Sequence, residues 1–210
     1  PKHELGLDKL DIDRGKLISK ADLSYRRFKV TQDGISERAP LGTTLMYYTG
    51  DEHNEMGHIS EDPENRVIMY EKRMKKLEIA DQEIPEESRL KIIGNKDSKN
   101  VIITWGFAGS VLEDIINESG LDATAIQIRM FSPFPSRLVT KLLSGKDKVI
   151  AVEGNYLAQA SSLVTMFTGI TPTNYVLKWN GRPFLKDELE NGLRQVINEN
   201  VKKVVLNGGA

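Results

Sequence analysis

From Lys99 onward, short β-branched runs alternate with segments of helical spacing, and no other feature restricts the fold so tightly. Val101-Ile-Ile-Thr-Trp105 is an apolar run, Gly106 and Gly109 follow it, and Val111, Leu112, Ile115 and Ile116 then share one helical face. Ala123-Thr-Ala-Ile-Gln-Ile128 predicts a second strand and Leu138 to Leu143 a second helix. Val149-Ile-Ala-Val152 predicts a third strand, followed by a helix from about Asn155 to Phe167. Tyr175-Val-Leu-Lys-Trp179 and the spacing of Leu189, Leu193, Val196 and Ile197 complete the series. Strands separated by helices need crossover connections, and crossovers make neighbouring strands parallel. The expected class is α/β: an open, mainly parallel sheet with helices on both faces, spanning residues 99-206.

Residues 1-98 have a different texture. They are polar and charge-rich, broken by Gly and Pro, and hold one long helical pattern. Leu5 to Gly15 alternates too irregularly for a strand and reads as loop or edge. Thr31 to Gly42 is rich in turn residues and leads to the β-prone Thr43-Thr-Leu-Met-Tyr-Tyr-Thr49, read as a short strand. Ser60-Glu-Asp-Pro63 carries helix-start chemistry, and Val67, Met69, Tyr70, Met74 and Leu77 continue it to about Asp81. Asp81 to Glu87 reads as a connector. The expectation is a loop-rich extension with one long connector helix, placed ahead of the α/β domain.

Composition removes several classes of function. Lys and Arg number 29 against 30 Asp and Glu, so no net basic field draws nucleic acid to the chain. With no cysteine, the chain supplies no thiolate to zinc or to an iron–sulfur cluster. No run reaches the roughly 18–20 apolar residues that span a bilayer, and no leader resembles a signal peptide, so a cytoplasmic setting without membrane contact is expected.

Four segments carry chemistry-bearing residues. Gly106-Phe-Ala-Gly109 follows a strand, where open sheets bind anions, but lacks the third glycine of a dinucleotide fingerprint and the Gly-Lys of a P-loop. A tight turn is the simpler reading. Thr49-Gly-Asp-Glu-His-Asn-Glu-Met-Gly-His58 gathers two histidines and three carboxylates in one loop, without the His-Glu-x-x-His spacing of a zinc helix. Such a loop fits a wall or lid over a site built mostly elsewhere. Glu153-Gly-Asn-Tyr-Leu-Ala-Gln159 leaves the third strand, with Asn155 as the expected helix N-cap and Tyr156 and Gln159 beside it. Lys178-Trp-Asn-Gly-Arg-Pro183 sets cations beside an aromatic around a turn and is read as packing.

Together these segments resemble a known family. Asp33-Gly-Ile-Ser-Glu-Arg38 with Pro40 and Gly42, the Thr49 to His58 loop, Glu61-Asp-Pro-Glu-Asn-Arg66 and Glu71-Lys-Arg-Met-Lys-Lys-Leu77 resemble the distal part of the α subunit of 2-oxoacid:ferredoxin oxidoreductases. Trp105-Gly106 with Gly109, Arg129-Met-Phe-Ser-Pro-Phe-Pro135, Glu153 to Gln159 and Lys178 to Phe184 resemble that family's transketolase C-terminal-like domain. The likeness runs from about Tyr25 to Ile197.

The resemblance implies oxidative decarboxylation of a 2-oxoacid of the pyruvate or 2-oxoglutarate type, dependent on thiamine diphosphate. The acyl group passes to coenzyme A, and electrons pass through a 4Fe-4S iron–sulfur cluster to ferredoxin. The chain lacks the Gly-Asp-Gly…Asn motif and the Tyr-Pro-Ile-Thr-Pro segment, so the resemblance implies a C-terminal portion of the subunit. It further implies that thiamine diphosphate with Mg2+ and the cluster sit on a partner β subunit, with the upstream portion of the α subunit as a second partner. Ferredoxin and coenzyme A engage the assembly. Asp51, Glu52 and His53 are the expected substrate-side residues, Tyr156 and Gln159 the expected partner interface, and no catalytic or metal-ligating residue is assigned. Two other readings stay open: a non-catalytic anion- or nucleotide-binding α/β domain using Gly106 to Gly109, and a metal-dependent hydrolase built on Glu52, His53 and His58.

Overall fold

The computed structural model describes residues 13–209 and falls into two compact units, which meet in sequence between Ala80 and Asp81. The Leu5 to Gly15 reading lies largely outside the described residues.

The first unit is mostly loop. Its one long element is α1 (Pro63–Glu83), which starts at the anticipated proline and runs two residues past the expected end. The strand expected at 43–49 does not form, because the segment finds no strand to pair with among the described residues. Bridges between Leu17 and Arg38 and between His53 and Ile59 are the extended pairings seen there.

The second unit is the expected α/β fold. Its elements are β1 (Leu90–Gly94), β2 (Asn100–Trp105), α2 (Ala108–Ser119), β3 (Thr124–Ile128), α3 (Ser136–Leu143), β4 (Lys148–Glu153), α4 (Gln159–Thr168), β5 (Asn174–Leu177), α5 (Lys186–Asn198) and β6 (Lys203–Val205). They form one six-stranded sheet in the order β1-β3-β2-β4-β5-β6. Every pairing is parallel except β1 with β3. The central strands read as unbroken apolar runs because both faces are covered. Ile102, Ala125, Ile150 and Val152 face α2 and α5, whereas Val101, Ile103, Ile126 and Val149 face α3 and α4. Each buried aliphatic side chain of this kind contributes about 1.5–3 kcal/mol.

The boundary expected after residue 98 falls differently. The sheet already contains β1, and the 3-10 turn at Glu86–Arg89 precedes it within the same unit. The segment read as an acidic connector is therefore ordered. Buried Arg89 donates to the Asp81 carboxylate at 2.5 Å and to the Asp81 carbonyl at 2.6 Å, tying down the last turn of α1. The C-terminal segment is also held: Asn180 Nδ2 donates to the carbonyls of Asn207 and Gly208, and the Gly208 N–H to Glu188. Among the described residues no helix is long and apolar enough to cross a membrane.

Candidate functional site

The polar loop from Thr49 to His58 is built from local turns. Thr49 Oγ1 accepts the Asp51 N–H at 3.1 Å and Asn54 Oδ1 accepts the N–H groups of Met56 and His58, side-chain turns that spare the backbone a strand partner. Gly57 adopts φ +97°, and a β-carbon there would run into the Tyr47 carbonyl, so only glycine closes this turn. Across the turn, the Asn54 N–H donates to the His58 carbonyl at 3.0 Å.

Helix α1 anchors the loop. Residues 65, 69, 72, 73 and 76 recur at helical spacing along one side of it. Asn65 Nδ2 donates to the His53 carbonyl at 3.1 Å, and Arg73 grips both oxygens of Glu52 at 3.2 and 2.7 Å. The Arg73 hydrogen bonds hold the Glu52 carboxyl below its ordinary value, outweighing the opposing effect of burial. Arg73 also lies 4.6 Å from the Tyr70 ring centroid. The His53 ring packs 4.0 Å from that of Phe28, and its Nδ1 lies 3.0 Å from the Asn54 carbonyl. A carbonyl only accepts, so Nδ1 is the donor in this contact.

Behind Phe28 the support is an ammonium. Buried Lys72 donates to the Phe28 carbonyl and to Ser36 Oγ, both at 2.6 Å. Burial, reinforced by the nearby cations Lys76 and Arg27, pushes its pKa down to about 8. Glu55 ties the same strip together: Arg26 Nη1 donates to it at 2.5 Å and the Val30 N–H at 2.7 Å.

The three expected substrate-side residues thus stand on one braced loop with different surroundings. Asp51 is exposed, with Thr49 as its side-chain partner; Glu52 is committed to Arg73; His53 is packed on Phe28. His58 packs instead on Tyr47, with ring centroids 4.1 Å apart. The carboxylate and the two imidazoles do not converge, which removes the geometry a metal-dependent hydrolase would need. Phe28, Asn65, Lys72 and Arg73 were not anticipated from sequence. The one available signal was the polar stripe on α1, since the Glu52–Arg73 pair is separated by 21 residues.

The other flagged segments lie in the sheet unit. Gly106 and Gly109 form the turn into α2: Gln127 Nε2 donates to the Gly106 carbonyl at 2.9 Å, and a β-carbon at Gly109 would strike the Gln127 side chain. Close packing on Gln127 accounts for Gly109, and a left-handed φ of +57° accounts for Gly106, around which the space is open; both fit the tight-turn reading. After β4, α4 starts at Gln159 and not at Asn155, and its N-cap position is Ala158, with φ +52°. The capping is done by Glu153, buried to 1% exposure, whose oxygens accept the N–H groups of Ala160 and Ser161 and the Ser161 hydroxyl. Asn155 bridges, donating to Glu153 and accepting the Gln159 N–H. This clamp holds out a loop with Tyr156 and Gln159 exposed, the Tyr156 ring edge-on to Trp179 at 4.8 Å. Lys203 lies over both rings, while Lys178 is buried in an ion pair with Glu188. The cation over the aromatic therefore comes from β6, outside the segment where it was sought.

These features define an α/β protein with an open, mostly parallel sheet and a separate helix-braced loop. No family model matches the sequence. The chain is 65% identical over 209 residues to the α subunit of 2-oxoacid:ferredoxin oxidoreductase 1 of Sulfurisphaera tokodaii, covering all of this chain and 33% of that protein. It is 50% identical over 214 residues to the α subunit of 2-oxoacid:ferredoxin oxidoreductase of Saccharolobus solfataricus, covering all of this chain and 34% of that protein. Among solved structures, the 2-oxoglutarate:ferredoxin oxidoreductase of Magnetococcus marinus with 2-oxoglutarate, coenzyme A and succinyl-CoA bound aligns with a TM-score of 0.61. The identity is 26%, over 84% of this chain and 32% of that one. The chain belongs to the 2-oxoacid:ferredoxin oxidoreductase α subunits, and spans about a third of the length of the curated relatives it matches.

An iron–sulfur cluster, which this family implies, does not fit the residues present. The chain has no cysteine for a cluster, and among the described residues no group of three or more acidic or histidine side chains gathers to hold an ion.

Proposed function

We propose that the chain is the C-terminal portion of an α subunit whose assembly converts 2-oxoacids of the pyruvate or 2-oxoglutarate type, with coenzyme A, to acyl-CoA and CO2 while reducing ferredoxin. The 65% identity over the whole chain to an α subunit of that name carries the reading. Thiamine diphosphate with Mg2+ and the iron–sulfur cluster belong on a partner β subunit, in keeping with the absence of cysteine here. The setting is cytoplasmic.

Within that assembly this chain supports and selects. The braced loop turns the exposed Asp51 carboxylate toward the substrate cavity, with Glu52 and His53 completing the wall, and a fixed negative charge there discriminates among 2-oxoacids by their side-chain charge. The Glu52–Arg73 grip is what makes this loop rigid enough for the role. Tyr156 and Gln159, held out by the Glu153 clamp, form a contact with another subunit. The exposed apolar residues Val67, Ile68 and Met74 of α1 meet the upstream portion of the α subunit.

The test is the purified native assembly, assayed anaerobically for coenzyme A-dependent reduction of an electron acceptor with pyruvate and with 2-oxoglutarate. Activity with at least one acid is expected, and Asp51→Asn shifts the ratio of kcat/KM between the two acids. An unchanged ratio in a folded variant overturns the role of the loop. No activity with any 2-oxoacid overturns the reaction itself.

A further inference from the structure

We infer that the free edge of the sheet at β1, together with the groove between β1 and α3, receives an extended acidic polypeptide segment with apolar residues at alternate positions. β1 ends the strand order, so among the described residues one side of its backbone faces no strand. The bond from the Arg129 N–H to the Arg89 carbonyl, 2.9 Å, sets the phase of the antiparallel ladder with β3. In that phase Lys91 and Ile93 exchange hydrogen bonds with β3, and Leu90 and Ile92 turn their N–H and C=O groups outward. The edge is short and carries Lys91, whose side chain is taken up by Glu113, but it has neither a proline nor a bulge in these five residues to stop its backbone from pairing.

Beside this edge lies a groove of about 670 Å³. Leu90, Ile92, Leu138 and Leu142 supply its apolar lining. Lys91, Lys96, Lys141 and Lys146 also line it, with Glu87 as the one lining carboxylate. Lys91 is neutralised by Glu113 at 2.6 Å. Lys146 donates only to the carbonyls of Lys96 and Ser98, and among the described residues Lys96 and Lys141 have no carboxylate partner. The remaining charge is positive, in a chain whose formal net charge is -1. A second copy joined edge to edge would set lysines against lysines, so the charge selects a different, acidic strand. Backbone pairing supplies its affinity, and the leucines and lysines supply its specificity.

This proposal stands apart from the 2-oxoacid reaction, and binding tests it without any turnover. The probe is a fluorescent octapeptide alternating glutamate and valine, titrated by anisotropy into the purified full-length assembly. Saturable binding is expected, weakening about tenfold between about 50 and about 300 mM salt as charge screening requires. The double variant Lys96→Glu with Lys141→Glu binds about tenfold more weakly at an unchanged melting temperature, a loss of about 1.4 kcal/mol. A peptide with proline at alternate positions, unable to pair with an edge, binds no better than that. No saturable binding by the unaltered assembly, or binding indifferent to both the charge reversal and the prolines, overturns the proposal.

Discussion

From Asp81 onward a continuous apolar core forms: Ile102, Ile103, Leu112, Ile115 and Ile126 are all at 0% exposure, although Phe107, Leu157 and Met166 outside it stay exposed. Between Asp13 and Ala80 the buried apolar side chain is Met69, and beside it the deeply placed groups are the polar Lys72 and Ser36. Leu41, Leu45, Ile59 and Val67 meanwhile stand open to water. One unit is therefore specified by burial, and the other is held by hydrogen bonds and ion pairs that each contribute only about 1 kcal/mol net. The sheet carries its own reason to fold.

The sharpest way to break this contrast is to cut a methyl-rich side chain from each unit. Leu112→Ala should destabilise the sheet by about 3–5 kcal/mol, through lost transfer energy and the cavity left behind. Met74→Ala, at 47% exposure on α1, should cost within about 0.5 kcal/mol in the isolated chain. Urea midpoints of the two variants decide the matter, and equal costs would show that the loop unit has a core after all.

Lys72 offers the next largest effect. Its folded pKa, about 8, lies below the unfolded value of 10.5, so between these two limits the unfolded chain holds a proton that the folded chain has released. Stability should rise with pH through that window, by at most about 3 kcal/mol, and be flat from this source below it. Amide exchange in α1, followed from pH 7 to 10.5, should show the rise, and Lys72→Met should abolish it. A slope that survives in the variant would place the titrating group elsewhere.

What could be read in advance follows the same division. Strands β2 to β5 were legible because helices cover both faces, so their burial leaves a continuous apolar run. β1 and β6 escaped notice because each is short and lysine-bearing: Leu90-Lys-Ile-Ile-Gly94 and Lys203-Val-Val205 lie at the sheet's two edges, where one side of the backbone needs no cover. Thr43 to Thr49 misled in the opposite sense, since β propensity without a pairing partner makes no strand. At the candidate site, the Asp51-Glu-His53 cluster was visible as an unusual density of polar groups. Its brace was not, because Arg73 looks like any solvated helix cation until the fold brings it against Glu52.

Glu153 sharpens the comparison from inside the apolar unit, where a buried carboxylate holds the start of a helix. Glu153→Ala should cost about 2–3 kcal/mol, since it leaves the N–H groups of Ala160 and Ser161 and the Ser161 hydroxyl without their acceptor. The loss should appear as faster amide exchange at the start of α4. Normal protection there would mean that Asn155 alone suffices to cap the helix.

The Glu52–Arg73 pair should have a small effect on stability and a larger one on function. Its side chains are 14% and 35% exposed, and a pair this close to water couples by about 0.5–1 kcal/mol. Because the folded pKa of Glu52 is lowered, that stabilisation is fully present above the unfolded carboxylate's pKa and disappears as pH falls through the lower folded value. A double-mutant cycle of Glu52→Gln and Arg73→Gln at pH 7, repeated in strong acid, should find the coupling at the first pH and lose it at the second. The loop's grip is mechanical as well as energetic: freeing residue 52 releases its neighbour Asp51. Either single variant should therefore blunt discrimination between 2-oxoacids in the assembled enzyme, even though the fold barely registers the change. Coupling without any change in discrimination would separate the brace from the substrate and leave it a purely structural contact of the loop unit.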